Sequence, residues 1–118
     1  MPMEKDLEQR TKRLALAVLK LCSSLPRDRA AEILARPLIR SATSIGANYR
    51  EANRAVSRAD FRNKVGTIQK EAAESQYWLE LLTESGSASD SAAAVHAECS
   101  ELLAIFTAIG KKLSVDND

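Results

Sequence analysis

Apolar residues recur along this chain in alternating steps of three and four over four separate stretches. Leu7, Leu14, Val18 and Leu21 share a face between residues 4 and 24, with Leu25 prolonging it. Leu38, Ala42, Ile45, Tyr49, Ala52 and Val56 do the same over 37–56, and Phe61, Val65, Ile68, Ala72, Ser75, Leu79 and Leu82 over 58–84. Ala92, Val95, Cys99, Leu102, Phe106, Ile109 and Leu113 complete the series over 91–113. Such steps return a side chain to the same side of a 3.6-residue helix, so each stretch predicts an amphipathic helix with one buried seam.

Local signals mark the ends of these helices. "SSLPRD" separates the first helix from the second, because Pro26 lacks an N–H and pushes Leu25 out of the helical region. A short helical turn through "RAAEIL" is expected before Pro37, which would occupy the first position of the second helix, where its missing donor costs little. Ser57 is expected to cap the third helix, with Asp60 three residues later, and Gly86 to end it. Four helices on short connections predict an all-α fold, an up-down-up-down antiparallel four-helix bundle, with residues 1–118 as a single domain.

Composition agrees with that class: apolar residues make up 45% of the chain and aromatic ones 4%, too few strand formers for a sheet protein. The net charge of +1 supplies no global field, so any electrostatic function must come from local asymmetry. The opening "MPMEKDLEQRTKR" carries acids and no apolar leader core, and no run approaches the roughly 20 apolar residues of a membrane span, so a cytoplasmic location is expected. Cys22 and Cys99 are too few for a disulfide framework and are expected to be free thiols.

The second helix is unusual in having few large side chains. On a helical wheel Arg36, Arg40, Arg50 and Arg54 lie opposite its seam, with Thr43 and Ala47 between them, and Arg58 joins if the helix runs that far. Its flank carries Ser41, Ser44, Asn48, Glu51 and Ala55, small or polar residues that let neighbouring backbones approach from more than one side. Trp78 and Leu81 fall outside the seam of the third helix and Leu16 and Leu19 outside that of the first, while the fourth shows an alanine face at Ala97, Ala104 and Ala108. Apolar residues off the seam predict a homo-oligomer interface built on Trp78, Leu81, Leu16 and Leu19; drift in the wheel, which would make them the edges of a wider core, is the alternative.

Chemistry is sparse. The stripe of Arg36, Arg40, Arg50, Arg54 and Arg58 is a candidate nucleic-acid surface, since guanidinium forks match phosphate oxygens. The competing reading is a solvated face partly neutralised by Glu32 and Glu51. Asn48 and Glu51 are expected to meet Lys64 and Glu71 in a buried network that sets register and does no chemistry. Glu71 and Glu74 lie one turn apart but lack the Glu-x-x-His partners of di-metal bundles. His96, Cys99 and Cys22 offer three soft ligands without a fourth, so core thiols are expected and no metal or other cofactor. With one histidine, no glycine-rich phosphate loop and no nucleophile elbow, no enzyme is expected.

The segment "RSATSIGANYREANRAVSRADFRNKVGTIQKEAAESQYWLELL" resembles the signature of the bacterial four-helix bundle family associated with intervening sequences in 23S rRNA genes. Arg40, Ser41, Ala42, Ser44, Ile45, Asn48, Glu51, Asp60, Phe61, Glu71, Glu74, Trp78 and Leu79 carry the likeness, and "LPR" at 25–27 fits the family's first connection. The resemblance implies an up-down bundle assembled as a homopentamer around a central axis. The accessory proteins of diversity-generating retroelements are similar in fold, and they are basic and bind nucleic acid and a reverse transcriptase, whereas this chain is nearly neutral. The expected function is that of a non-enzymatic oligomeric bundle, 23S rRNA-associated, meeting structured RNA through its outer arginines. A protein–protein scaffold is the alternative, and neither a membrane nor a small-molecule substrate is expected.

Overall fold

A computed structural model describes residues 2–88 and 90–116, with side chains at 6–88 and 90–114. Four helices follow in order, α1 (Pro2–Ser23), α2 (Arg29–Ala52), α3 (Arg58–Glu84) and α4 (Ser91–Asp116), and there is no strand among the described residues. They pack antiparallel into a rod of 49 × 23 × 19 Å. Each helix packs on its neighbour in sequence, and α4 returns to α1 to close the bundle; the α2–α3 contact is the most extensive and the α1–α4 contact the slightest. The seams predicted from spacing form the core, with Val18, Leu38, Ile45, Ile68, Leu79, Leu82, Leu102 and Phe106 fully enclosed. Tyr49 meets Phe106 edge to face at 5.3 Å, joining α2 to α4 across the middle.

The boundaries of α2 differ from the sequence expectation at both ends. The turn through "RAAEIL" is not separate: α2 starts at Arg29, where the Asp28 carboxylate caps it by accepting from the Ala31 N–H at 2.8 Å, and Pro37 lies inside the helix. Proline removes one N–H and crowds the carbonyl four residues back. Burial of Ala31 before it and Leu38 after it ties both halves to the same core, and that packing outweighs the local penalty. At the far end α2 stops at Ala52, because Asn53, Arg54 and Ala55 turn back onto the carbonyls of Tyr49, Glu51 and Ala52. Val56 therefore leaves the seam and is 93% exposed in the connection.

The ends of α3 follow the sequence signals. Ser57 accepts from the Asp60 N–H at 3.0 Å. Gly86 takes the left-handed conformation at φ 81°, with Ser87 N–H donating to Leu82 O and Gly86 N–H to Thr83 O, the paired bonds of a Schellman ending. α4 runs three residues past the expected Leu113, so that the polar stretch from Ser114 to Asp116 continues the helix, and residues 117 and 118 lie outside the described residues. Contrary to the expectation that no run is long enough, Ser91–Ser114 is long and apolar enough by length and composition to cross a membrane, with a mean hydropathy of 1.4. Only 28% of that stretch is buried in the bundle; much of its apolarity is alanine.

Two mid-helix glycines show opposite environments. A Cβ on Gly46 would meet Thr11 Oγ1 at 3.1 Å, so glycine there sets how closely α2 approaches α1. Thr11 cannot easily yield, because it is fully buried and its hydroxyl bonds the carbonyls of Leu7 and Glu8. A Cβ on Gly66 meets nothing within 4 Å. Gly66→Ala is therefore expected to stabilise the fold by about 0.5–1 kcal/mol through helix propensity, whereas Gly46→Ala gains nothing or loses stability. Thermal melts of the two variants check this, with a rise of about 2–6 °C expected for the first only.

Candidate nucleic-acid interface

The residues singled out on α2 are sorted by the helices on either side of it. Facing α3, the Ser41 and Ser75 hydroxyls share a buried hydrogen bond of 2.8 Å. One turn on, Ser44 Oγ donates to Glu71 Oε2 at 2.6 Å, and Asn48 Nδ2 turns back to the Ser44 carbonyl at 2.8 Å. Arg40 bridges to Glu74 at 3.0 Å and lies 3.7 Å from Glu71. Lys64 pairs instead with Glu51 at 3.0 Å near the surface. The single network expected of Asn48, Glu51, Lys64 and Glu71 is thus two separate clusters. The antiparallel register puts Glu71 level with Ser44 and Arg40, and Lys64 level with Glu51, nearly two turns away along α3.

Arg36, Arg40, Arg50, Arg54 and Arg58 are all exposed, and Arg40 pairs with the acids of α3. Arg50 and Arg54 come together in an open hollow of 490 Å³ with Glu8, Glu51 and Asn53. Arg50 also edges a 270 Å³ cleft between α1 and α2, facing Lys12 over a floor that includes Ala15, Gly46 and Ala47. Glu8 subtracts charge from both, but its carboxylate already accepts from Asn53 Nδ2 at 3.0 Å. Arg36 lies at the other end of α2 and takes no part in either hollow.

A further open hollow, of 580 Å³, which was not read from the sequence, lies between α3 and α4 and is lined by Arg62, Gly66, Gln69, Thr107, Gly110, Lys111 and Ser114. A signal for half of it was present: arginine recurs every fourth residue at 50, 54, 58 and 62, past the end of α2 and into α3. Lys111 had none, since only folding brings it to Arg62.

The apolar candidates also divide. Trp78 and Leu81 are half-buried, with Trp78 edge to face on the exposed Tyr77 at 5.2 Å. The indole Nε1 of Trp78 is buried with no hydrogen-bond partner. The register of the Ser41–Ser75 and Arg40–Glu74 pairs carries Trp78 to the level of Pro37; Ile33, one turn earlier on α2, is 60% exposed. Leu16 and Leu19 are 55% and 41% exposed on α1.

The soft ligands are occupied in other ways. The Cys99 thiol donates to the Ala72 carbonyl at 3.3 Å, and burial, reinforced by the charge of Glu98, pushes its pKa up to about 12. Burial likewise raises Cys22, and His96 Nε2 lies 2.9 Å from Glu80 Oε2. Among the described residues no group of three or more histidine, cysteine and acidic side chains converges on a metal position. Across the α1–α4 gap Arg10 forks onto Glu98 at 2.8 and 3.0 Å, a bond that holds its guanidinium more firmly protonated than usual.

The model of the family described as 23S rRNA-intervening sequence protein matches residues 4–108. This chain belongs to that family. Among solved structures the intervening-sequence protein is similar to a protein of unknown function from the S23 ribosomal protein family of Bacteroides thetaiotaomicron, at 32% identity and a TM-score of 0.84, covering 92% of this chain and 97% of the other. No curated protein matches the intervening-sequence chain.

The two clusters on α3 differ in consequence. Glu71 is almost fully buried, so Glu71→Ala removes the interhelical acceptor of Ser44 and leaves a gap between α2 and α3, and it is expected to lower the unfolding free energy by about 1–3 kcal/mol. Breaking the surface pair by Lys64→Ala is expected to change it by about 0.5 kcal/mol or less. Urea titrations with unchanged slope check both values.

Proposed function

We propose that this family member is a non-enzymatic, cytoplasmic binding protein that assembles with copies of itself and contacts structured RNA through phosphates, using the arginines at the α2–α3 end of the bundle. The observation that carries the reading is the pairing pattern: Arg40 pairs with Glu74 and lies near Glu71, while Arg50 and Arg54 share an exposed hollow with Glu51, which pairs with Lys64, and with the charged Glu8. Exposed guanidinium groups on rigid helix ends suit backbone contacts, which position an RNA without reading its sequence. The family's description as an intervening-sequence protein of 23S rRNA agrees with an RNA partner. A homopentamer would repeat the surface around a ring, and several weak sites would then act through effective concentration.

Fluorescence anisotropy of a labelled RNA hairpin over a salt series tests the proposal. Arg50→Glu with Arg54→Glu is expected to abolish binding at unchanged helicity, and wild-type affinity is expected to fall steeply with salt. Absence of wild-type binding at low salt would overturn it.

A second reading, a scaffold acting only through protein contacts, is favoured by the apolar surface of Trp78, Tyr77 and Ile33. If that surface holds subunits together, Trp78→Ala lowers the particle mass measured by light scattering. An unchanged mass would remove Trp78 from the assembly interface.

A further inference from the structure

We propose that the groove between the start of α3 and the end of α4 receives a nucleic-acid phosphodiester backbone, continuing the Arg50–Arg54 surface around the end of the bundle. The inference rests on the RNA reading above and extends it to a second pair of helices.

Four observations carry it. Arg62 on α3 and Lys111 on α4 line opposite sides of the groove, and neither has an ion-pair partner among the described residues. No carboxylate lines the groove among the described residues. The hydroxyls of Thr107 and Ser114 stand in the same lining without a hydrogen-bond partner among the described residues, so two cations and two neutral donors face one anionic occupant. Gly66 lies in the middle of α3 with open space above it, and nothing in the bundle accounts for the missing side chain, in contrast to Gly46 against Thr11. A helix-interior glycine lowers helix stability, and it suits a place where a ligand comes close to the backbone.

The surroundings favour a backbone over bases. No aromatic side chain lines the groove, so there is no platform on which an unpaired base could stack. Gln69 is held to the Phe106 carbonyl at 3.0 Å and forms a wall. Around the same end Glu8 is bonded by Asn53, Glu51 by Lys64 and Asp60 by the Val56 N–H. Asp6 on α1 is exposed, and the chain carries further acids at 116 and 118, which makes the expected affinity modest and salt-sensitive.

The test is anisotropy of two labelled RNA hairpins of unrelated sequence at low salt, with helicity of every variant verified by circular dichroism. Arg62→Glu with Lys111→Glu is expected to weaken both hairpins equally, by about tenfold or more. The neutral pair Arg62→Ala with Lys111→Ala is expected to flatten the dependence of log affinity on log salt by about 1.5 to 2. Gly66→Leu, which changes no charge, is expected to weaken binding by covering the floor of the groove. Arg27→Glu with Arg29→Glu, an equal charge change at the opposite end, is expected to bind like wild type.

Loss in the Arg50/Arg54 variant with wild-type binding by the Arg62/Lys111 and Gly66 variants would overturn the groove and leave the RNA reading standing. Equal loss in the Arg27/Arg29 control would overturn the groove as well, because net charge alone would then explain the effect. No wild-type binding to either hairpin would overturn both.

Discussion

The close approach of α2 and α3 sets the rest of the arrangement. Ser41 and Ser75 are fully buried, and their hydroxyls share one hydrogen bond, with a carbonyl of each helix, Leu38 and Glu71 respectively, also in reach. Two small polar side chains that meet one another bring the helices nearer than two leucines could, and a slip of one turn would lose the bond between them. The same register brings Ser44 to Glu71, Arg40 to Glu74 and Lys64 to Glu51. On its other flank α2 is held by the contact of Gly46 with Thr11. A helix gripped on both sides keeps only one strip facing outward, and that strip carries arginines.

This packing also sorts the charges of a nearly neutral chain. Acids are about as numerous as bases, and the folded protein pairs several of each: Glu98 and Glu101 with Arg10, Glu71 and Glu74 with Arg40, and Glu51 with Lys64. Glu8 accepts from the neutral Asn53 and keeps its charge. Arg50 and Arg54 line one hollow near the end of α2, and Arg62 and Lys111 line another between α3 and α4.

The elements themselves were legible because the signals behind them are local. Seam spacing, the Ser57 cap and the Gly86 ending each depend on residues within about a turn of one another. The misreading of α2 followed from the same locality. Pro37 and Val56 were weighed by their own preferences, whereas burial of Ala31 and Leu38 carries the helix through the proline, and the turn after Ala52 takes Val56 out of the core. The polar quartet of Asn48, Glu51, Lys64 and Glu71 lay on the correct pair of helices, yet wheel positions without a register could not say that it splits in two.

By itself the sequence determined the four amphipathic helices, their buried seams and the presence of an arginine stripe, which follow from composition and from periodicity along one helix at a time; the family resemblance rests instead on the particular residues of the segment from Arg40 to Leu82. Only the tertiary structure decided which arginine pairs with the acids of α3, that Lys12 faces Arg50 across a cleft, and that Lys111 stands across an open groove from Arg62 beside Gly66. Those facts depend on the axial register between helices. Register is a property of pairs of surfaces far apart in the chain, resolved by the buried serines and the Gly46 contact, and no single stretch of sequence contains it.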